Sequence, residues 1–114
     1  MGILLSTTDK YQKCIESCTQ CSQVCYECMK MCLNEEDVKA RKNCISLLLE
    51  CACICKEAAT FMSLDAQYAK DLCKLCATIC EKCANECNMF KDDHCKMCVD
   101  ECTACANECR MMMQ

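Results

Sequence analysis

Proline and tryptophan are absent from this 114-residue chain, and its single glycine is Gly2. After Gly2, therefore, no strong backbone breaker interrupts any element, which favours a nearly all-helical chain. Aromatic residues make up only 4%, and the formal net charge is −4, so there is neither a basic patch nor a stacking platform for nucleic acid. No run of about 18 apolar residues occurs, which argues against a membrane span. The opening MGILLSTTDK has neither the charged start nor the apolar length of a secretory signal, so an intracellular, cytoplasmic protein is expected. MGILLS does fit the loose M-G-x-x-x-[ST] myristoylation pattern, but so short a match arises by chance and a single acyl chain anchors only marginally. Glycine-rich phosphate loops are missing, and no nucleophile stands with a base at a telling spacing, so no enzyme is expected. Glu16, Glu27, Glu50 and Glu81 read as solvated helix faces.

The chain does have 20 cysteines. Three short polar interruptions, LNEED (33–37), MSLD (62–65) and FKDDH (90–94), divide it into four helical segments of about 8–33, 36–62, 64–90 and 93–112. Ser63 and Asp92 or Asp93 are candidate N-caps, while Glu35, Glu36 and Asp37 suit the positive end of a helix dipole. Similar lengths joined by short turns predict one domain over 1–114, all-α, folded as an up-down-up-down antiparallel four-helix bundle.

Cysteine recurs with a 3-4 alternation: Cys14, Cys18, Cys21, Cys25, Cys28 and Cys32; then Cys73, Cys76, Cys80, Cys83 and Cys87; then Cys95, Cys98, Cys102, Cys105 and Cys109. A mean spacing of 3.5 residues is the seam of a left-handed bundle, so three rows of sulfur are expected to line one core. The second segment is sparser, with Cys44, Cys51 and Cys55 in phase and Leu48 and Met62 on the same face. Cys53 lies about 200° around the helix from Cys51 and is left out of the core set. Ile15, Val24, Ile45, Leu47, Leu49, Ile54, Leu72, Leu75, Ile79 and Val99 are expected to pack beside the seam and to fold the chain without metal.

Packing alone has no need of thiols at so many in-phase positions. Disulfides between neighbours on one helix are disfavoured, since their Cβ atoms lie about 5–6 Å apart where a disulfide wants about 3.5–4.5 Å. An iron–sulfur cluster can use four thiolates, and CxxC units such as Cys18/Cys21 and Cys73/Cys76 exist, but a discrete cluster does not require an unbroken row. Zinc would take separate four-ligand sets, and one histidine with continuous stripes fits that poorly; an iron–sulfur or redox electron carrier and a broad zinc or cadmium thiolate buffer stand as the alternative readings. Soft thiolates select Cu(I), and a monovalent ion neutralises one thiolate, so a dry sulfur core nears neutrality at about one metal per cysteine. A divalent ion on four thiolates would leave −2 in low dielectric, and no lysine or arginine recurs on the cysteine phase to offset it.

The CxxxCxxCxxxCxxCxxxC run of the first segment, ECACIC in the second, CKLCATICEKCANEC in the third and DDHCKMCVDECTACANEC in the fourth resemble the cytosolic bacterial copper storage proteins over about residues 10–110. The resemblance implies a bundle that holds many Cu(I) ions along its core on the in-phase cysteines, that assembles as a homotetramer, and that stores or buffers copper without catalysing a reaction. Members with an export signal serve extracytoplasmic enzymes, and this chain lacks one. The expected partners are copper ions and proteins that donate or accept them. His94, at the turn into the fourth segment, reads either as an exposed turn residue or as a ligand at the bundle mouth beside Cys32 and Cys87, and the resemblance favours the latter. Met29, Met31, Met89 and Met97 lie toward that end, and Met62, Met111, Met112 and Met113 toward the other, as gap-fillers or soft relay ligands.

Overall fold

A computed structural model describes residues 2–113. Four α-helices, α1 (Gln12–Leu33), α2 (Lys42–Ser63), α3 (Ala69–Cys87) and α4 (Asp93–Met111), form the chain, with 3-10 turns at Ser6–Tyr11 and Val38–Arg41 leading into α1 and α2. Each helix packs on its neighbour in sequence and α1 closes the ring on α4; among the described residues the backbones of diagonal helices stay apart, and their sulfurs meet across the core, as where Cys51 and Cys55 of α2 reach Cys102 and Cys105 of α4 at 3.9 Å. Short connections make successive helices antiparallel, giving the expected up-down-up-down bundle, 48 × 22 × 18 Å. No described helix is long and apolar enough to cross a membrane.

Burial follows the 3-4 phase. Every cysteine but Cys53 is buried, and Leu48 and Met62 fill the α2 positions where cysteine is missing. Small residues flank the sulfur rows: Ala52, Ala58, Ala69, Ala77, Ala84 and Ala106 are all buried. Buried Ser22 donates its hydroxyl to the Ala52 carbonyl at 2.9 Å, tying α1 to α2. These short side chains let the helices approach closely enough for sulfurs on different helices to meet. Ile15, Val24, Ile45, Leu47, Ile54, Leu72, Ile79 and Val99 pack half-buried against this core. Leu49 and Leu75 do not; both are exposed. At 100° per residue they stand roughly 120° or more from the middle of their stripes, too far round to reach the seam.

The helix starts lie later than the sequence pattern placed them, at 12, 42 and 69 instead of 8, 36 and 64. Before α1 and α2 the chain tightens into 3-10 turns. Before α3 the cause is the way α2 ends. Asp65 adopts φ 49°, in the left-handed region. The Asp65 N–H donates to the Met62 carbonyl at 3.0 Å and the Ala66 N–H to the Phe61 carbonyl at 2.9 Å, a Schellman closure that uses residues 64–66. Ser63 is therefore not an N-cap. It is the last residue of α2, and its hydroxyl donates back to the Ala59 carbonyl at 2.7 Å. Asp92 does occupy the N-cap position of α4, with extended backbone, but its carboxylate makes no cap hydrogen bond and is directed elsewhere.

Candidate metal centre

The sulfur rows meet along the bundle axis. Sγ–Sγ separations between helices are 3.7 Å for Cys14–Cys109, 3.6 Å for Cys18–Cys105, 3.6 Å for Cys55–Cys80, 3.8 Å for Cys25–Cys102 and 3.6 Å for Cys44–Cys87. All 20 cysteines are free thiols. With metal–sulfur bonds of about 2.3 Å, sulfurs sharing one ion lie about 3.8 Å apart in a tetrahedron and about 4.0 Å apart in a trigonal plane. The sulfurs thus already stand near the separations that metal would impose.

Four-sulfur groups with all sulfurs within 4.8 Å of one another recur along the axis: Cys18–Cys76–Cys105–Cys109, Cys21–Cys55–Cys80–Cys105, Cys21–Cys25–Cys51–Cys102 and Cys25–Cys83–Cys98–Cys102. Consecutive groups share members. Cys105 belongs to the first two, Cys21 to the second and third, and Cys25 and Cys102 to the third and fourth. Because the groups share members, the sulfurs form one continuous column and not a set of separate cages.

The buried thiols are not alike: hydrogen bonds from neighbouring thiols favour the thiolate at some, such as Cys44 beside Cys87, while others hold their protons more tightly. Cys95 is pushed up to about 12, first by burial and then by the neighbouring Cys32 charge. Cys55 is likewise raised, by its hydrogen bond with Cys105 foremost and by burial. A soft cation entering such a site displaces a proton from sulfur, so binding weakens as pH falls.

At the end where α1 and α3 finish and α2 and α4 begin, the column changes character. Cys28, Cys32, His94 and Cys95 form a mixed group. His94 Nδ1 lies 3.6 Å from Cys28 Sγ and 3.6 Å from Cys95 Sγ. Its Nε2 faces Glu35 Oε1 at 3.3 Å, with Asp92 Oδ2 at 3.9 Å. Donation of Nε2–H to Glu35 leaves the Nδ1 lone pair facing the sulfurs, the arrangement by which a carboxylate fixes the tautomer of a ligating imidazole. His94 is thus far from an exposed turn residue. Cys32 shares its group as expected, while Cys28 and Cys95 are the sulfurs it contacts, and Cys87 faces Cys44 instead.

Two further residues here escaped the sequence reading. Glu35 supplies the carboxylate partner of His94 that spacing did not reveal. Arg41, which precedes α2, is buried, with Nη1 3.5 Å from Cys32 Sγ and 3.7 Å from Cys95 Sγ. Its Nη1 also donates to Asp92 Oδ2 at 2.6 Å and its Nε to Asp37 Oδ1 at 2.6 Å, while Phe90 lies under the guanidinium at 4.4 Å. A signal was available: carrying the 3-4 phase of Cys51, Leu48 and Cys44 one step back lands on position 41.

At the opposite end the core is finished by buried Tyr11 and Met62, with Met112 half-buried beside them. Met29 packs half-buried near the His94 end, whereas Met31, Met89 and Met97 are exposed, as are Met111 and Met113. Cys53 is exposed, with Sγ 3.9 Å from the Tyr26 hydroxyl. A surface groove of about 720 Å³ between α1 and α2, lined by Ile15, Thr19, Gln23, Tyr26, Lys56 and Ala59 among others, contains no sulfur. The chemistry lies inside the bundle, not in that groove.

A four-helix bundle whose interior is a continuous column of buried thiols is a metal-storing protein, with soft ions as cargo. The copper storage protein family model matches residues 7–114. The chain is 42% identical over 83 residues to the cysteine-rich protein YhjQ of Bacillus subtilis strain 168, covering 73% of this chain and 77% of that protein. Its fold superposes on the Cu(I)-bound copper storage protein BsCsp3 with a TM-score of 0.89 at 40% identity, covering 93% of this chain and all of that one. A cytosolic copper storage protein of Streptomyces lividans, loaded with five coppers, superposes with a TM-score of 0.88 at 29% identity, covering 93% of each chain. This chain belongs to the copper storage protein family. Its function is copper storage, with Cu(I) the ion that a thiolate column selects.

Proposed function

We propose that the 19 in-phase cysteines, Cys14 through Cys109 without Cys53, are the copper ligands, and that His94 is a ligand at the mouth through which Cu(I) enters and leaves. The observation that carries this reading is the sharing of Cys105, Cys21, Cys25 and Cys102 between consecutive sulfur groups. Discrete zinc or iron–sulfur sites need no shared ligands, whereas a thiolate column filled by monovalent ions needs bridging sulfurs to approach neutrality. Each arriving ion displaces a thiol proton and is held by two or three sulfurs from one helix and its neighbour. Because helix hydrogen bonds and the half-buried aliphatic residues form independently of metal, the apo chain folds as the preformed container.

The four helices act as one storage domain over 1–114, without catalysis, in the cytoplasm, as a homotetramer that exchanges copper with donor and acceptor proteins. Support for the cytoplasmic and tetrameric parts comes from the family resemblance. For the non-catalytic part it comes from the dedication of the interior to sulfur: His94, the chain's single histidine, faces thiols and carboxylates at a bundle end.

The test is an anaerobic titration of reduced apo protein with Cu(I) against a coloured competing chelator. Chelator complex should stay absent until about one Cu(I) per core cysteine has been added, with helical circular dichroism unchanged throughout. Loss of copper to the chelator from the first additions would refute the column and direct attention to iron and zinc in protein purified without added metal. Sedimentation of the apo and loaded forms tests the tetramer.

A further inference from the structure

We propose that Arg41 is a positioning residue of the copper mouth, a fixed cation that holds the Cys32–Cys95 pair ready to receive and return Cu(I). The proposal rests on the reading of the His94 end as the mouth. Arg41 is the single lysine or arginine among the buried described residues, and it sits on the sulfur column where α1 and α4 face each other. Its Nη1 points at Cys32 of α1 and Cys95 of α4, whose sulfurs are 3.9 Å apart. Asp37 and Asp92 hold the guanidinium from two sides and Phe90 from a third, so its direction is set before metal arrives.

Charge explains what such a cation does there. Deeper in the column, where no other cation is buried among the described residues, a thiolate finds its counter-charge in bound metal, so partly filled sulfur groups are costly. The Cys28–Cys32–Cys95 set differs. With one Cu(I) on three thiolates the set carries −2; Asp37 and Asp92 already balance the guanidinium in net charge, and what Arg41 adds is local, a charged Nη1 donor 3.5 Å and 3.7 Å from two of those sulfurs that stabilises them through charge-assisted hydrogen bonds. The mouth therefore tolerates a partly metallated state, which both loading and unloading must pass through. Glu35, Asp37 and Asp92 around it keep the entrance attractive to cations while Arg41 keeps the sulfurs themselves in place.

The experiment measures the rate at which reduced apo protein takes Cu(I) from a coloured chelator complex, and the rate at which excess chelator removes it, for wild type, R41Q, R41K and D37N. Each variant is first checked for unchanged helical circular dichroism. We expect R41Q to slow both directions about tenfold, the worth of one charge-assisted hydrogen bond, with final capacity unchanged. R41K, which keeps a cationic donor, should recover most of the rate. D37N, which loosens one anchor of Arg41 but leaves the Asp92 anchor and the donor to sulfur in place, should slow loading by less than R41Q does. Wild-type rates in R41Q, or equal slowing in R41Q, R41K and D37N, would overturn the proposal, the latter because it would reduce Arg41 to a clamp on the fold. H94A separates the two readings: slow loading in R41Q with normal loading in H94A removes the ligand role of His94 and leaves that of Arg41 standing.

Discussion

At one end of the bundle, where α1 and α3 begin, the sulfur column stops against Tyr11 and Met62, side chains that bury apolar surface and offer no charge. At the other, where α2 and α4 begin, it stops against His94, Arg41, Glu35 and Asp92, a cluster of donors and acceptors held by hydrogen bonds at 2.6–3.7 Å. The same fold and the same cysteine rows thus finish in a hydrophobic plug and in a polar cluster. An ion can shed its carrier step by step across polar ligands, while an apolar plug presents it with only a desolvation cost. Position along the axis, and not the number of cysteines, is what the proposal of a route at one end and a seal at the other rests on.

Breaking the plug should have the largest effect on stability. Met62→Ala removes a fully buried side chain and should cost about 2–5 kcal/mol, read as a lower apo melting temperature, with copper capacity unchanged. A loss of capacity instead would mean that Met62 belongs to the storage chemistry and that the two ends are less different than their residues imply. The mouth is sharpened by Glu35→Gln, which weakens the carboxylate that orients His94. Initial Cu(I) uptake should slow by about tenfold while the melting temperature barely moves, and an unaltered rate would detach Glu35 from the route.

A third test uses alkali. Cys95, near the mouth, carries a pKa raised from 9.0 to about 12 by burial. In that window the unfolded chain has lost the proton that the folded chain keeps, so stability is fully present below pH 9 and declines as pH rises toward 12. Apo melting temperatures should fall across that range, and Cys95→Ser should flatten part of the fall; a flat profile in the wild type would place Cys95 in contact with water. The smallest effect belongs to the plug end. Asp65→Gly relieves the left-handed backbone at the close of α2 and should stabilise the chain by about 0.5–1 kcal/mol in chemical denaturation, with loading rates unchanged.

The absence of helix breakers and the 3-4 recurrence of cysteine were enough to specify four helices, their order and the face each turns inward, because a 3.5-residue period has one seam whatever the surroundings. Helix starts were less legible: the left-handed position that ends α2 is Asp65, not the glycine that usually marks such a turn, and Ser63 mimics a cap while bonding backward. Leu49 and Leu75 counted as core by type but not by angle. Arg41 went unnoticed for the opposite reason. Its charge hid a position that phase alone assigns to the core.

From the sequence alone came the bundle, the sulfur-lined interior and the softness of the metal it selects, since these depend on periodicity and ligand type along one helix at a time. Only the tertiary structure decided which sulfurs meet, that consecutive groups share members, and that Glu35, Arg41 and Asp92 converge on His94 at one end. Those contacts join different helices and their ends, from Cys55–Cys80 to Cys14–Cys109, and they are set by how four helices of fixed pitch register against one another, which no spacing within a single helix encodes.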